Sequence, residues 1–243
     1  DGEVIAGADA GWENGRLGVL VHAGAGATTI PDRDSTATDA SYGAGVFGGL
    51  GGDGLRLGFG ASYSLYDIET EREVAVGSIA DVLRARYGAS RMQGFADLGY
   101  RLGLGTGSMT PFLNLAQVRL ASGSFVESGG EAALSGEASM VDATFATLGL
   151  RAEGQFDLDG RPVALRGMAG WRRSMMETPQ AELAFAGSPD FIIAGPAMAG
   201  DALVLEGGLD MTLSDGVALG LGYDGQLSAT AQNHALKASL LGQ

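Results

Sequence analysis

Residues 48–66 read GGLGGDGLRLGFGASYSLY, and the first half of this stretch satisfies two ligand-binding patterns. Residues 48–55 fit the G-G-x-G-x-D-x-L calcium repeat, and residues 49–54 fit the G-x-G-x-x-G dinucleotide fingerprint. The calcium repeat needs several consecutive copies, because each ion is held between stacked turns, and this chain has a single copy. The dinucleotide site needs a helix directly after its glycines, whereas strict alternation follows Gly54. We therefore interpret both matches as accidents of composition and residues 52–54 as a tight hairpin turn, whose Asp-Gly pair accepts positive φ.

Few other residues have the types or spacings that chemistry requires. The two histidines, His22 and His234, have no partner at a spacing typical of a zinc site or a His-based catalytic triad. No serine lies in a G-x-S-x-G elbow. The absence of cysteine excludes a thiolate metal site and a cysteine nucleophile. We predict a protein that is not an enzyme and that has no metal and no cofactor.

Composition narrows the fold. The chain has 42 Gly and 6 Pro among 243 residues and is 45% hydrophobic, which is too Gly-rich for an ordinary helical enzyme and too apolar for a disordered chain. Its net charge of −14 disfavours a nucleic-acid partner. No apolar run is long enough for a transmembrane helix. A transmembrane barrel is compatible with the mean hydropathy of +0.13, because its strands alternate.

Alternation of period two recurs along the chain, as in VALGLGYDGQLSA at 217–229, where large apolar residues alternate with small or charged ones. The same pattern runs through residues 55–66, 163–173 and 202–213. Small residues with isolated charges suit the inside of a closed barrel, while Leu, Val, Tyr and Trp suit a lipid-facing band. A soluble sandwich would instead carry a richly hydrated face.

Eleven strands are predicted, at 3–12, 17–29, 41–51, 55–66, 86–104, 109–120, 143–158, 162–173, 202–213, 217–229 and 234–243. Tight turns are predicted at 13–16, 51–54, 105–108, 159–161 and 214–216, and longer links near 31–40, 67–83, 122–142 and 174–201. Short turns on one rim and long loops on the other are typical of outer-membrane barrels, which have an even number of strands. A twelfth strand is therefore expected upstream.

The predicted long links hold 16 acidic residues and two basic ones, so they account for the whole net charge. This distribution indicates a solvated crown of loops on one rim.

The residues from Thr144 onward, among them TFATLGLRAEGQF, GWRR and LGLGYDGQL, resemble the C-terminal β-barrel translocator domain of type Va autotransporters. GFADLGYRL at 94–102 is similar to one of the family's earlier strands. The resemblance implies that 1–243 is a single domain with an all-β fold: an antiparallel up-and-down transmembrane β-barrel with 12 strands in the intact domain. It implies a location in the bacterial cell outer membrane, where the barrel secretes and anchors an N-terminal passenger. The family's first strand, pore helix and terminal aromatic residue are expected to be missing here, since HALKASLLGQ stops at Gln243.

The implied partners are the lipid bilayer and lipopolysaccharide, the passenger with its linker helix, and the outer-membrane barrel assembly machinery. No catalytic residue is implied. The candidate site residues are the charges expected in the lumen: Arg56, Asp97, Arg101, Arg151, Glu153, Arg166, Arg172, Glu206, Asp210, Asp224 and Lys237. They are expected to pair with one another across strands or with the linker helix. Facing lipid instead would cost about 2–4 kcal/mol at the bilayer midplane.

Three further interpretations stay open at this point. A small-solute porin-like channel would share every physical feature except the passenger. A soluble ligand-binding β-barrel would bury its apolar stripes inward. The aromatic residues are expected either in a membrane-interface belt or in ordinary barrel packing: Trp12, Trp171, Tyr63, Tyr87, Tyr100 and Tyr223.

Overall fold

The computed structural model describes residues 2–30, 34–52, 54–77, 79–158, 160–176, 178–195, 200–214 and 217–242. Twelve strands form the main sheet: β1 (Gly2–Trp12), β2 (Gly15–Ile30), β3 (Ser35–Gly51), β4 (Leu55–Val76), β5 (Ile79–Tyr100), β6 (Leu102–Leu104), β7 (Gly107–Ser122), β10 (Ser139–Leu158), β11 (Arg161–Met176), β14 (Asp201–Ser214), β15 (Val217–Ser228) and β16 (Gln232–Gly242). Four short strands form a second sheet: β8 (Phe125–Val126), β9 (Leu134–Gly136), β12 (Gln180–Phe185) and β13 (Phe191–Ala194). No helix within the described ranges is long and apolar enough to cross a membrane.

The main sheet follows chain order, β1-β2-β3-β4-β5-β7-β10-β11-β14-β15-β16, and the short β6 pairs with β7. Every neighbouring pair is antiparallel, so the predicted up-and-down arrangement of eleven wall strands is confirmed. The two edge strands, β1 and β16, do not pair with each other within the part of the chain that the structure describes.

Tight turns gather on one rim of the wall, as predicted from the Gly-containing joints. Gly54 (φ 96°) and Gly105 (φ 59°) adopt the left-handed conformation that glycine accepts without steric cost. Three of the predicted turns include residues outside the described ranges: Asp53, Asp159 and residues 215–216. We call this end of the wall the tight-turn rim.

The link predicted at 67–83 is wrong, because β4 and β5 continue as paired strands to Val76 and Ile79 and turn at Gly77 (φ 62°). The predicted link at 31–40 is likewise strand from Ser35 onward. The physical reason lies in the sequence DIETEREV, where alternation persists but acids replace apolar residues at every second position.

The two remaining links carry the second sheet, which we call the crown (residues 123–136 and 178–195). The crown covers the extension of β4 and β5: Arg84 and Ser128 exchange two backbone hydrogen bonds of 2.9 Å. Beside them Leu83 is fully buried and the Tyr87 ring lies 5.4 Å from that of Phe125. Burial raises the pKa of the Tyr87 phenol. Tyr87 therefore packs against the crown and does not belong to a membrane-interface belt.

Candidate functional site

The wall has two chemically different faces, and the pairing register fixes which residues share each one. Leu165, Leu209 and Leu221 stand opposite one another on β11, β14 and β15, while the next row is Arg166, Gly208, Gly222 and Lys237. We call the leucine face the outer face and the charged face the inner face.

The outer face is apolar and exposed. Leu165 and Leu221 are 45% and 47% exposed. On β4 the apolar outer positions run from Leu55 to Leu65, and eleven residues at about 3.3 Å each, tilted by about 45°, span about 25 Å. That height matches the apolar band of an outer-membrane barrel. A soluble barrel would bury these stripes inward, so this exposure contradicts that interpretation.

Aromatic side chains lie near both ends of the outer face. Trp12 and Tyr100 stand at the tight-turn rim, 55% and 49% exposed. Tyr223 lies midway along this face, opposite Gly207, with its hydroxyl 2.8 Å from Nδ1 of His234, whereas Tyr63 and Trp171 lie nearer the end away from that rim. Amphipathic rings at such positions suit the two membrane–water interfaces.

The pairing register puts ten of the eleven predicted site residues on the inner face. The eleventh, Arg101, falls between β5 and β6, and its ion pair with Glu153 (4.0 Å) places it with the others. Arg56 lines the same cavity as Asp97 and Arg151. Glu206 stands opposite Asp224, a pairing of like charges. That the inner face lines a pore stays a prediction.

The most elaborate inner-face contact joins Asp97 on β5 to Arg151 on β10. Both terminal nitrogens of Arg151 donate to this carboxylate, at 2.8 and 2.7 Å, and Asn114 on the intervening β7 donates to it at 3.3 Å. The guanidinium also lies 3.7 Å above the ring of Phe112, which is 4% exposed. A two-pronged ion pair stacked on an aromatic ring holds its geometry more firmly than a single contact.

The other predicted site residues make more open contacts. Arg166 pairs with Asp210 at 3.0 Å and Lys237 with Asp224 at 2.8 Å, and all four side chains are at least 45% exposed. Arg172 donates to Thr147 and Gln226, both at 3.3 Å. Exposed pairs of this kind are screened by water and stabilise little, but they keep the inner face wet and locally neutral.

Sequence reasoning missed a chain of polar side chains across the first four strands. Nε2 of His22 lies 2.9 Å from Oγ of Ser64, and Nδ1 lies 3.1 Å from Oε1 of Glu3, in a geometry short of a hydrogen bond. Gly43 stands between His22 and Ser64 in the register. Alternation in 17–29 places His22 on the inner face, but only the register of three strand pairs identifies its partners.

These residue types match an acid-His-Ser hydrolase triad. Ser64 is only 1% exposed, however, so its hydroxyl is closed to a substrate, and the chain of contacts connects strands instead. Across the described ranges, no three or more His, Asp or Glu side chains are arranged to hold a metal ion.

Comparisons with known sequences agree on one family. The family model described as Autotransporter beta-domain matches residues 1–224. Two extracellular serine proteases of Serratia marcescens are each 32% identical to this chain, over 236 and 230 residues. The alignments take in 94% and 93% of the chain but 22% of each protease, so the chain spans about a fifth of these relatives' length.

Solved structures show the same fold. The translocator domain of autotransporter NalP from Neisseria meningitidis matches with a TM-score of 0.73 and 19% identity, over 99% of this chain and 79% of that one. The β-domain of the Bordetella autotransporter BrkA matches with a TM-score of 0.65 and 17% identity, over 99% and 90%. The predicted all-β antiparallel barrel is thereby confirmed.

Proposed function

Because this chain belongs to the autotransporter β-domain family, we propose that it is the barrel through which an N-terminal passenger reaches the cell surface and by which the passenger stays anchored there. The domain is an outer-membrane β-barrel of the type V secretion class, and its family is a translocator family rather than a catalytic one. The observation that carries the proposal is the two-faced wall: an apolar outer face about one bilayer tall backs an inner face of paired charges.

The inner face suits passage of a polypeptide. Four of its carboxylates form ion pairs with cations on other parts of the wall, so a segment inside the barrel meets a hydrated and nearly neutral surface. We propose that the eleven predicted charges keep this surface wet, and that Arg56, which lines the cavity and forms no ion pair with any other described residue, is available to a linker helix.

We also propose that residues 1–243 belong to one domain, which a twelfth strand closes between β1 and β16. Both edge strands run toward the tight-turn rim, as the pairs Trp12–Gly15 and Val217–Gly242 require. Two strands of like direction cannot pair antiparallel, whereas one intervening strand would satisfy both. From membership of the family alone, we propose that the whole protein has the family's pore helix and terminal aromatic residue. On the same ground we propose that the barrel assembly machinery inserts it into the membrane.

Two glycines offer a matched test of the assigned faces. Gly207 lies on the outer face of β14 with open space around it, and Gly222 lies on the inner face of the adjacent β15 with ordinary contacts of 3.7 Å or more. Arg at Gly207 would face lipid near midplane at a cost of about 2–4 kcal/mol, while Arg at Gly222 would enter water.

The experiment expresses the full-length protein and measures surface-exposed passenger together with the heat-resistant folded form of the barrel. We expect Gly207→Arg to lose both and Gly222→Arg to retain both, with Gly207→Ala as the control for added volume. Equal loss at both positions would reject the assigned faces. A correctly assembled barrel that displays no passenger would favour the porin-like channel.

A further inference from the structure

The crown continues the inner face of the wall at the end away from the tight-turn rim, which we call the mouth of the barrel. Contacts between β5, β8, β9, β12 and β13 join residues that share this face, in the order Tyr87, Phe125, Gly136, Leu183 and Phe191. Tyr87 pairs with Ile68, which stands on the same side of β4 as Ser64. The crown therefore borders the mouth with the continuation of the surface that faces the interior.

This part of the inner face is apolar, in contrast to the charged wall below it. The rings of Phe185 and Phe191 stack with their centroids 5.7 Å apart. Phe185 and Ile193 are 43% and 49% exposed. The crown also holds four acidic residues and no basic one: Glu127, Glu131, Glu182 and Asp190. A partner for this surface is therefore apolar on the side that meets the rings, and basic rather than acidic elsewhere.

The crown sheet has an open edge at β13. Within the described ranges, β13 pairs with β12 and with no other strand. The edge of a sheet presents backbone N–H and C=O groups to which another extended segment can pair.

One hydrogen bond shows which backbone groups of β13 are available. The N–H of Gly195 donates to the carbonyl of Pro179 at 2.8 Å, so Gly195 faces β12. Backbone groups alternate in direction along an antiparallel strand. Ile193 therefore points its N–H and C=O at β12, while Ile192 and Ala194 point theirs away from the sheet.

We propose that β13 captures an extended segment of the protein's own passenger, which adds to the crown as a further strand when it emerges from the mouth. The inference rests on the proposed function, because it requires a passenger that passes through the barrel with the crown outward. Main-chain hydrogen bonds to Ile192 and Ala194 hold the segment, and the apolar inner face selects apolar residues at alternate positions. A segment paired in this way no longer slides back into the lumen.

The passenger is the occupant that the observations favour. The chain spans about a fifth of the length of the curated relatives it matches, so relatives of this kind carry a long polypeptide besides the barrel. Under the proposed function that polypeptide leaves through the mouth, where β13 is the open edge of the crown. A second copy of the barrel would have to approach the same edge from outside, across the mouth.

The test measures amide hydrogen exchange, residue by residue, in the full-length protein with its passenger attached. The same protein is measured again after protease treatment of intact cells has removed the passenger. We expect the amides of Ile192 and Ala194 to exchange at least about tenfold more slowly with the passenger attached, because their N–H groups then donate to the added strand. The Ile193 amide faces β12 and is the control within the same strand, so its exchange should be equal in both samples. The heat-resistant form and the mass of the crown peptides verify that protease spared the barrel.

Ile192→Pro removes one outward N–H and puts a ring on the open edge, without removing a donor to β12. We expect it to abolish the passenger-dependent protection of the Ala194 amide, whereas Ile192→Ala, which keeps the N–H, should retain that protection. If Ile192→Pro quickens exchange at Ile193, and so disturbs the crown itself, Ala194→Pro replaces it, with the Ile192 amide as the readout.

Three outcomes would overturn the inference. Equally fast exchange of the Ile192 and Ala194 amides in both samples would mean that nothing pairs with the edge. Equally slow exchange in both would assign the edge to residues of the barrel domain, and protection that depends on protein concentration would make the partner a second copy. Surface display of the passenger is scored in parallel. A folded wild-type barrel without displayed passenger would count against translocation, and capture with it, whereas a displayed passenger with unprotected edge amides would count against capture by β13 alone.

Discussion

Nε2 of His22 lies 2.9 Å from the hydroxyl oxygen of Ser64, although β3 runs between their two strands. The contact is possible because the intervening residue is Gly43. A Cβ at that position would clash with Nε2 of His22 and lie 2.9 Å from Cα of Ser64. A missing side chain on one strand therefore makes room for a bond between its two neighbours.

Gly43→Ala tests this arrangement. We expect a loss of about 1–3 kcal/mol in the free energy of unfolding, because the methyl group meets backbone atoms of β4 as well as the imidazole ring. Urea unfolding in detergent micelles measures it. Gly103→Ala is the control, since Gly103 has nothing within 4 Å of an added Cβ. Equal stability of the two variants would mean that His22 can move aside without cost.

The Asp97–Arg151 pair should be coupled more strongly than the Arg166–Asp210 pair. Asp97 is 18% exposed and Arg151 stacks on Phe112, while Arg166 and Asp210 are 65% and 45% exposed. Double-mutant cycles with alanine should give coupling energies of about 1–3 kcal/mol for the first pair and less than about 1 kcal/mol for the second. A larger coupling energy for Arg166–Asp210 than for Asp97–Arg151 would show that burial does not determine the strength of ion pairs on the inner face.

Glu127→Ala should loosen the crown and leave the wall intact. Glu127 accepts two hydrogen bonds from Arg72, at 3.1 and 2.6 Å, and one from the backbone N–H of Leu134 at 2.9 Å. Removing the carboxylate leaves these donors without their acceptor in a partly buried place. Hydrogen exchange should quicken at Leu134 and Ser128, while amides of β15 keep their protection. Quickened exchange in β15 would contradict a local role.

The ion pair between Asp142 and Arg119 should stabilise the fold at neutral pH and lose that effect only in acid. The hydrogen bond from Arg119 lowers the pKa of Asp142 below its ordinary value of 3.8, outweighing the effect of burial. Because the folded pKa is lowered, the stabilisation is complete above 3.8 and is lost as pH falls through the folded value. A ¹³C carboxyl titration should place the Asp142 midpoint below 3.8, and Arg119→Gln should return it upward. A wild-type midpoint at or above 3.8 would contradict the pair.

Alternation alone predicted the faces of the wall. A strand has only two sides, so the order of residue types along 217–229 is enough to separate Leu221 from Asp224. Beyond the apolar band, alternation of apolar residues no longer revealed the strand. There Asp67 and Glu69 face water at the outer positions that leucines occupy lower on β4. The sequence pattern therefore predicted an irregular link at 67–83 where the structure has paired strands.

Partners across strands could not be predicted in the same way. Glu3, His22 and Ser64 meet only because three successive pairings have particular registers, and a slip of one residue in any of them would move a side chain to the other face. The crown was beyond prediction for a related reason, since β9 and β12 come from two links separated by two wall strands.

In a closed barrel, every strand can be antiparallel to both of its neighbours only when the number of strands is even. The described wall has eleven strands, so its two edge strands, β1 and β16, run in the same direction. The gap between these two edge strands therefore constrains the direction of a strand that fills it, whatever the sequence of that strand. The twelfth strand that we propose must therefore run from the tight-turn rim toward the crown, because only that direction makes it antiparallel to both β1 and β16.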